Sequence, residues 1–385
     1  MLSYATTSDI ARVKTFAFDN LTPEEKLGIT DYFRKATTYI DNTCRRRFFP
    51  YDRLREFSVP TYYLDLRNRS FIYADLTLDD DLLEVFTLQS GGVNTLIDTL
   101  DTLQANITAT QNTIVVADAA GLDANGNTRF VEGTLFQIDN ERFEVVLVST
   151  NTLYVKRGAL QTRRAAHTST TKLYKLDVSS MTQGVNFHLL EFNIEPKFGI
   201  RLVFPATWTS SVVWRTRIPQ IFVSGYFGYH NRYTESGWAN TLTALKAALN
   251  ATDTSFPLAN AASAGLDSLG EPAYQVGYLL QIGRELMAIT QIDLGAGAAD
   301  DTIHVARGQN GSLPLPHAIS DPIYRYNVPW DIREACLVCA KVFREADQAT
   351  GGRQGVGEAS IGVEIAVPKT AADILKLHLR ASTYG

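Results

Sequence analysis

The chain has 385 residues, of which 45% are hydrophobic and 20% charged, a composition typical of a folded protein with several small cores. Its 41 acidic and 36 basic residues give a net charge of −5, so the chain as a whole does not attract a phosphate backbone or an anionic membrane. Its cysteines, Cys44, Cys336 and Cys339, are too few for a disulfide scaffold. No signal-peptide pattern and no membrane-length apolar stretch occurs, so we expect a chain that begins near Met1, is assembled in a cytosol and makes no membrane contact.

The first strong structural signal is a helix start at residues 22 to 25. Thr22 supplies a hydroxyl at the N-cap, and Pro23 suits the first helical position. The Glu25 carboxylate can accept a hydrogen bond from the backbone N–H of the cap residue. The apolar residues that follow recur at helical spacing and form one stripe, composed of Ile29, Phe33, Ala36 and Ile40. The sequence therefore predicts an amphipathic helix that ends before Pro50.

A run of three arginines and two phenylalanines closes this helix: Arg45, Arg46, Arg47, Phe48 and Phe49. Cations are favourable at a helix C-terminus, and phenylalanines can clamp the strand that leaves the helix or a neighbouring subunit. Two other interpretations stay open, a solvated charge run beside two core phenylalanines and a contact with DNA.

Between Tyr51 and Tyr326 the pattern changes to short β runs separated by glycine, asparagine and aspartate. Helical spacing returns after Pro329, in a stripe composed of Ile332, Cys336, Cys339, Phe343 and Ala346. A last short helix is predicted from Thr370, with Ile374 and Leu377 on its apolar side. Because each terminal helix has an unburied stripe, we predict an α+β fold in which the two chain ends form one helical core around a β-rich insertion.

The insertion contains an internal repeat. The segment "ITATQNTIVVADAAGLD" from Ile107 aligns with "LNATDTSFPLANAASAGLD" from Leu249, and the match continues in order along both segments. The pairs are Gly133 with Gly277, Gln137 with Gln281, Ile138 with Ile282, Glu141 with Glu285, Arg157 with Arg307, Gly158 with Gly308, His167 with His317 and Tyr174 with Tyr324. This order predicts two homologous small β-barrel or sandwich modules.

The predicted domains are a helical core of residues 1–57 and 328–385, a β domain of 58–101 and 177–240, module 1 of 102–176 and module 2 of 241–327.

Residues that could carry chemistry are few. Cys336 and Cys339 have the spacing of a metal or redox pair, but no second pair exists and both fall on an apolar stripe, which favours buried core cysteines. The loop "DANGN" from Asp123 lacks the glycine and glutamate of a calcium loop and is predicted to be a turn. Glu141 and Glu285 are the repeated carboxylates, and their apolar neighbours favour structural contacts over a general acid. We therefore expect no catalytic residue, no metal, no cofactor and no enzymatic activity.

The order of these parts resembles the head-tail connector (adaptor) proteins of tailed bacteriophages. The segment "SDIARVKTFAF…TPEEKLGITDYFRKATTYIDNTCRRRFFP" is similar to the N-terminal helix pair of that family, whose helix ends in a comparable Ile-Asp, Thr, Arg and Phe run. The segment "VPWDIREACLVCAKVFREAD", a glycine-rich loop and a last short helix resemble the C-terminal half of the family. The modules are similar to units of phage tail and connector proteins. Compact adaptors have short connections where this chain has a large β region, so the resemblance covers the helical ends better than the insertion.

The resemblance implies a structural protein that forms a ring of about twelve copies below the portal, extends the DNA channel and docks the tail. Its implied partners are the portal protein, tail-side neck or tail-tube proteins, further copies of itself, and double-stranded DNA that passes without sequence-specific binding. It would be found in the neck of the virion after assembly in the host cytoplasm. The alternatives are a phage tail or baseplate β protein without portal contact, and a carbohydrate-binding protein.

The residues expected to contact the portal or a neighbouring subunit lie at the end of the first helix and near the C-terminus. Residues 368–385 are predicted to be a docking arm, whose basic residues steer the approach and whose apolar residues hold the partner. The full set is Arg45, Arg46, Arg47, Phe48, Phe49, Arg353, Lys369, Ile374, Lys376, Leu377, Leu379 and Arg380.

Overall fold

The computed structural model describes residues 2–6, 9–10, 23–58, 72–190, 194–204, 220–259, 262–296, 299–351 and 368–380. The fold is α+β and rich in antiparallel strands, which form a curled sheet and a second sheet. The chain divides into two compact units. The first unit comprises Met1–Pro50, Gly228–Gln309 and Pro316–Gly385, and the second comprises Tyr51–Phe227 and Asn310–Leu315.

The helices belong to the first unit and are α1 (Pro23–Cys44), α2 (Trp330–Gly351) and α3 (Lys369–Leu377). Helix α1 begins at the predicted proline, and Thr22 lies outside the described residues. The predicted apolar stripe of α1 is buried along its whole length. Within the parts of the chain that the structure describes, no helix is long and apolar enough to cross a membrane.

Helices α1 and α2 contact each other through their apolar stripes. The Cys336 thiol of α2 donates a hydrogen bond to the Phe33 carbonyl of α1 over 3.7 Å. The rings of Tyr39 and Phe343 meet edge to face with centroids 5.8 Å apart. The spacing of four and three residues on each helix thus places side chains from the two ends of the chain against one another.

The second unit contains a sheet of ten strands among its described residues. Its strand order is β1-β10-β2-β7-β4-β5-β6-β3, with β9 paired to both β2 and β8. The strands are β1 Tyr51–Ser58, β2 Ile72–Thr102, β3 Thr113–Val115, β4 Leu135–Ile138, β5 Glu141–Ser149, β6 Thr152–Arg157, β7 Lys172–Ser180, β8 Phe187–Leu190, β9 Lys197–Phe204 and β10 Gln220–Phe227.

The first unit contains a sheet of six strands among its described residues, in the order β11-β16-β13-β14-β15-β12. The strands are β11 Trp238–Ala244, β12 Ser255–Leu258, β13 Leu279–Ile282, β14 Glu285–Asp293, β15 Asp301–Ala306 and β16 Pro322–Tyr326. Alternation buries one face of β15, where every second residue is buried, whereas β14 buries its first five residues.

The two repeat segments pair their strands in the same register, although the strands of module 1 lie in the second unit and those of module 2 in the first. Ile138 faces Glu141 in module 1, and Ile282 faces Glu285 in module 2. Their cores also use matching positions. Module 1 buries Leu103, Ile107, Ile114, Val116, Phe130, Phe136, Ile138, Phe143, Val145, Leu153, Val155 and Leu173, and module 2 buries Leu245, Leu249, Phe256, Leu258, Tyr274, Leu280, Ile282, Met287, Ile289, Ile303, Val305 and Ile323.

A candidate docking surface at the end of helix α1

The arginine run begins in the C-terminal cap of helix α1. Arg45 has a φ of 52°, in the left-handed region that usually takes glycine at this position. The Arg46 N–H donates to the Asp41 carbonyl over 3.3 Å, the bond that closes a helix when the preceding residue is left-handed. Arg45 and Arg47 are exposed, and the Arg46 guanidinium lies 4.2 Å from the centroid of the Tyr229 ring. The cap therefore presents two of the arginines to solvent and holds the third on an aromatic face.

Phe48 and Phe49 are buried within the first unit. Phe48 has no exposed surface, its ring meets those of Tyr4, Tyr229 and His378 edge to face, and its carbonyl accepts a 2.8 Å bond from the Tyr326 hydroxyl. Phe49 packs on Tyr4 with centroids 4.9 Å apart. These contacts match the interpretation of two core phenylalanines beside a solvated charge run, because neither ring offers a large surface to another molecule.

Helix α3 lies directly against the end of helix α1. The Cys44 thiol donates to the Leu375 carbonyl over 3.6 Å, and the Arg380 N–H donates to the Cys44 carbonyl over 3.1 Å. Ala371 and Leu375 are buried, so this helix uses one face to pack inside the unit. The structure thus brings together two groups of predicted interface residues that are more than three hundred positions apart in the sequence.

The other face of helix α3 and the residues after it remain exposed. Leu377 is 80% exposed and Leu379 is 48% exposed, whereas Ile374 is half-buried. Trp330, at the start of helix α2, is 73% exposed and precedes Asp331, which contacts His378. Large apolar side chains with this much exposure and cationic neighbours are typical of an interaction site. We use the name C-terminal surface for the set Arg45, Arg46, Arg47, Trp330, Lys369, Lys376, Leu377, Leu379 and Arg380.

The C-terminal surface does not include every residue that was predicted to contact a partner, and it includes Trp330, which was not predicted. Arg353 lies outside the described residues. The apolar spacing alone pointed to Ile374 and Leu377, yet Leu375 is the residue that the fold buries. Trp330 carries no sequence signal of exposure, because a tryptophan after a proline at a helix start is equally compatible with a core position.

Two carboxylates next to this surface have shifted pKa values. Burial raises the pKa of Asp331, but the 2.6 Å hydrogen bond and the charge of His378 outweigh it and leave that pKa below its usual value. Burial raises the pKa of Asp41 to about 6, against the opposing effects of the hydrogen bond from the Tyr4 hydroxyl and the charge of Arg47. The ionised Asp331 therefore fastens the residues after α3 to α2, and Asp41 takes up a proton at a higher pH than an ordinary aspartate does.

The repeated carboxylates form buried structural clusters and not an acid pair in a cleft. Glu141 accepts bonds from the Arg157 guanidinium at 2.9 and 2.6 Å and lies 3.0 Å from His167 Nε2. Glu285 accepts two 2.6 Å bonds from Arg307, with His317 in the place of His167. Burial raises the pKa of Glu141, but bonds from Arg157, a backbone N–H and His167 outweigh it and lower that pKa, whereas a general acid needs a raised one.

The cysteines and the asparagine-rich loop have internal roles. Burial raises the pKa of Cys44 and Cys336 to about 12 and that of Cys339 to about 11, so all three thiols stay protonated. Asp123 Oδ1 accepts two N–H bonds within its own turn, and Asp123 Oδ2 lies 2.7 Å from Lys175 Nζ. In the portion of the chain described by the structure, no group of three histidine, cysteine or acidic residues is placed to hold a metal ion.

Comparison with protein-family models, with curated proteins and with solved structures finds no similar protein.

Proposed function

We propose that this chain is a structural head-tail adaptor of a tailed phage. In this proposal, the helices within residues 1–57 and 328–385 form a helical core, and the two modules are copies of one ancestral unit. The chain assembles into a ring below the portal, extends the DNA channel and docks the tail, with no enzymatic activity and no cofactor. It acts in the virion neck, where DNA passes through the ring without sequence-specific contacts.

The single observation that carries the proposal is the C-terminal surface. It joins the arginine run of helix α1 to exposed leucines of the C-terminal segment, the two features on which the resemblance to adaptor proteins rests. A catalytic role has no comparable support, because Glu141 and Glu285 are enclosed by their own arginines and histidines.

The composition of the surface suits attachment to another protein. Covering one exposed leucine contributes about 1.5–3 kcal/mol, so Leu377, Leu379 and Trp330 together can supply much of the binding energy. The surrounding cations steer an acidic partner surface and set its orientation. Pure DNA binding would not use the exposed aliphatic side chains.

The test is to replace Leu377 and Leu379 together with aspartate. Leu377 is 80% exposed and Leu379 about half exposed, so the fold should tolerate the change. A carboxylate at the centre of an apolar contact, in contrast, must be desolvated when the partner binds. We expect loss of attachment to portal-bearing heads that lack this protein. The measurement is the yield of tailed particles after in vitro complementation, together with sedimentation of the variant with the heads.

The matched control is Leu294→Asp, because Leu294 is 73% exposed in the same unit and is not part of the C-terminal surface. That variant should attach as the unchanged chain does. If Leu377→Asp with Leu379→Asp attached normally, the C-terminal surface would not be the portal contact. If the unchanged chain neither bound heads nor was encoded beside a portal and a large terminase, the adaptor function itself would be wrong.

A further inference from the structure

The two repeats, counting with module 1 the residues 98–101 that lead into it, each carry an exposed leucine at the same place in the sheet. In module 1 the ladder between β2 and β7 pairs Asp98 with Tyr174 and next pairs Thr102 with Lys172, so two extra residues bulge from β2. In module 2 the ladder between β11 and β16 has the same irregularity between residues 240 and 244. Leu100 and Leu242 occupy the centres of these bulges and are 61% and 68% exposed. A bulge changes the direction in which a side chain points, and here the leucine at its centre points to solvent.

The backbone at both leucines is strained and is held in place by the same contacts. Leu100 has a φ of 59° and Leu242 a φ of 60°, a region that disfavours bulky side chains. The preceding threonine is buried in each copy, and its hydroxyl donates to the carbonyl of Leu173 in module 1 and of Ile323 in module 2. Glycine or asparagine would fit the bulge without this strain, so packing inside the module does not explain a leucine in both copies.

A second exposed leucine lies on the neighbouring turn of each module. Leu122 is 57% exposed and Leu266 is 58% exposed. In module 1 the Ala124 N–H donates to the Asp98 carbonyl over 3.0 Å, which joins this turn to the bulge. The Ser268 N–H makes the same bond in module 2, over 2.8 Å. We use the name leucine patch for the pair Leu100 and Leu122 in module 1 and for the pair Leu242 and Leu266 in module 2.

Charges beside the patches are satisfied within the chain and do not call for a charged partner. Asp98 pairs with Lys172 at 3.1 Å, and Lys246 pairs with Asp300 at 2.5 Å. Nucleic acid and an anionic membrane are therefore poor occupants, since both attract unpaired cations. An apolar patch of this kind is complementary to another one, and every copy of the chain displays it twice.

We propose that the leucine patches join copies of this chain, with the patch of module 2 on one copy against the patch of module 1 on the next. This inference rests on the ring assembly in the proposed function. Two equivalent patches on one chain give a head-to-tail contact, which can close into a ring. Four leucines bury far less than the about 800 Å² per partner of a stable interface, so one contact is weak, and a ring holds each copy from both sides.

The experiment is sedimentation velocity of the full chain over a range of concentrations. The unchanged chain should form oligomers larger than a dimer, and the double variant Leu100→Asp with Leu242→Asp should stay a monomer. Each single variant removes one side of the head-to-tail contact and should therefore also stay a monomer. Leu294→Asp is the matched control and should behave as the unchanged chain does, because Leu294 is 73% exposed and lies in neither patch.

A second pair of variants separates a docking role from a structural one. Asparagine tolerates a positive φ, so Leu100→Asn with Leu242→Asn should raise the Tm and still abolish the oligomers. Oligomers that persist in either double variant, or an unchanged chain that is monomeric throughout, would overturn the inference. Persistence in the double variants alone would leave the proposed adaptor function intact, because attachment to heads is tested separately through Leu377 and Leu379.

Discussion

At the scale of single residues, one buried carboxylate in each module fastens several loops at once. In module 1, Glu141 accepts the Gly158 and Ala165 N–H groups in addition to its bonds with Arg157 and His167. The corresponding arginine of module 2, Arg307, reaches two backbone carbonyls at 2.8 Å. Each cluster thus pairs a buried cation and anion and also satisfies backbone groups that have no partner in the sheet.

Replacing Glu141 with glutamine tests this cluster. The amide keeps the shape of the side chain but leaves the buried Arg157 guanidinium without a counter-charge, so the free energy of unfolding should fall by about 3 kcal/mol. Urea unfolding at neutral pH measures the change, and Glu132→Gln, at an exposed position of the same module, should leave it within about 0.5 kcal/mol.

Because the pKa of Glu141 is lowered, the stability of the Glu141→Gln variant should depend on pH differently from that of the unchanged protein. Because folding stabilises the ionised carboxylate, its contribution is present above the unfolded pKa of about 4.3 and is lost as the pH falls through the folded pKa. The unchanged protein should therefore lose more stability on acidification than Glu141→Gln does. If the free energy of unfolding fell equally with decreasing pH in the two proteins, this account would be contradicted.

At the scale of elements, helix α3 has one face that packs inside the first unit and another face that is exposed to solvent. A helix of nine residues is marginal alone and must be held by packing, and Ala371 and Leu375 are its buried residues, with the Leu375 carbonyl bonded to Cys44 at the end of α1. The residues that face away are then available for a partner without loss of stability. Sequence spacing could not assign the two faces, because α3 has apolar residues on both.

Alanine substitutions should separate these two faces. Leu375→Ala removes a buried side chain and should lower the free energy of unfolding by about 3 kcal/mol, since it leaves a cavity. Leu377→Ala should change it by less than about 0.5 kcal/mol. Urea unfolding followed by circular dichroism measures both, and equal losses would mean that α3 packs differently.

At the scale of the whole molecule, the same module occurs in two surroundings. Module 1 continues through β7 into the sheet of the second unit, and there Lys156 contacts Asp52 of β1 and lies 3.8 Å from Glu144 Oε2. In module 2 the positions that match Glu144 and Lys156 in the register are Ala288 and Ala306. The repeat therefore keeps its core and changes the residues by which module 1 is joined to the larger sheet.

Replacing Lys156 with alanine should destabilise the second unit. Asp52 and Glu144 are buried carboxylates that would lose their shared cation, so the expected loss is about 3–5 kcal/mol. Lys172→Ala is the matched control, because Lys172 is 61% exposed and a surface pair contributes less than about 1 kcal/mol. Chemical unfolding of both variants provides the comparison, and similar losses would contradict a role for the buried network.

Sequence by itself determined the features that depend on local spacing. The stripe from Ile29 to Ile40 predicted a buried helix face, and the paired motifs placed Glu141 and Glu285 at matching positions, which the structure gives the same partners. Side-chain periodicity and turn residues follow from the backbone geometry of neighbouring residues, so a local pattern is enough to predict both features.

Only the tertiary structure decided which apolar residues of the candidate sites are covered. Phe48 is enclosed by rings from distant segments, Leu375 is buried in place of Leu377, and bulges expose Leu100 and Leu242. A leucine or phenylalanine carries the same apolar surface in either role. Its role follows from strand register and from contacts between residues far apart in the chain, and no local pattern encodes either of these.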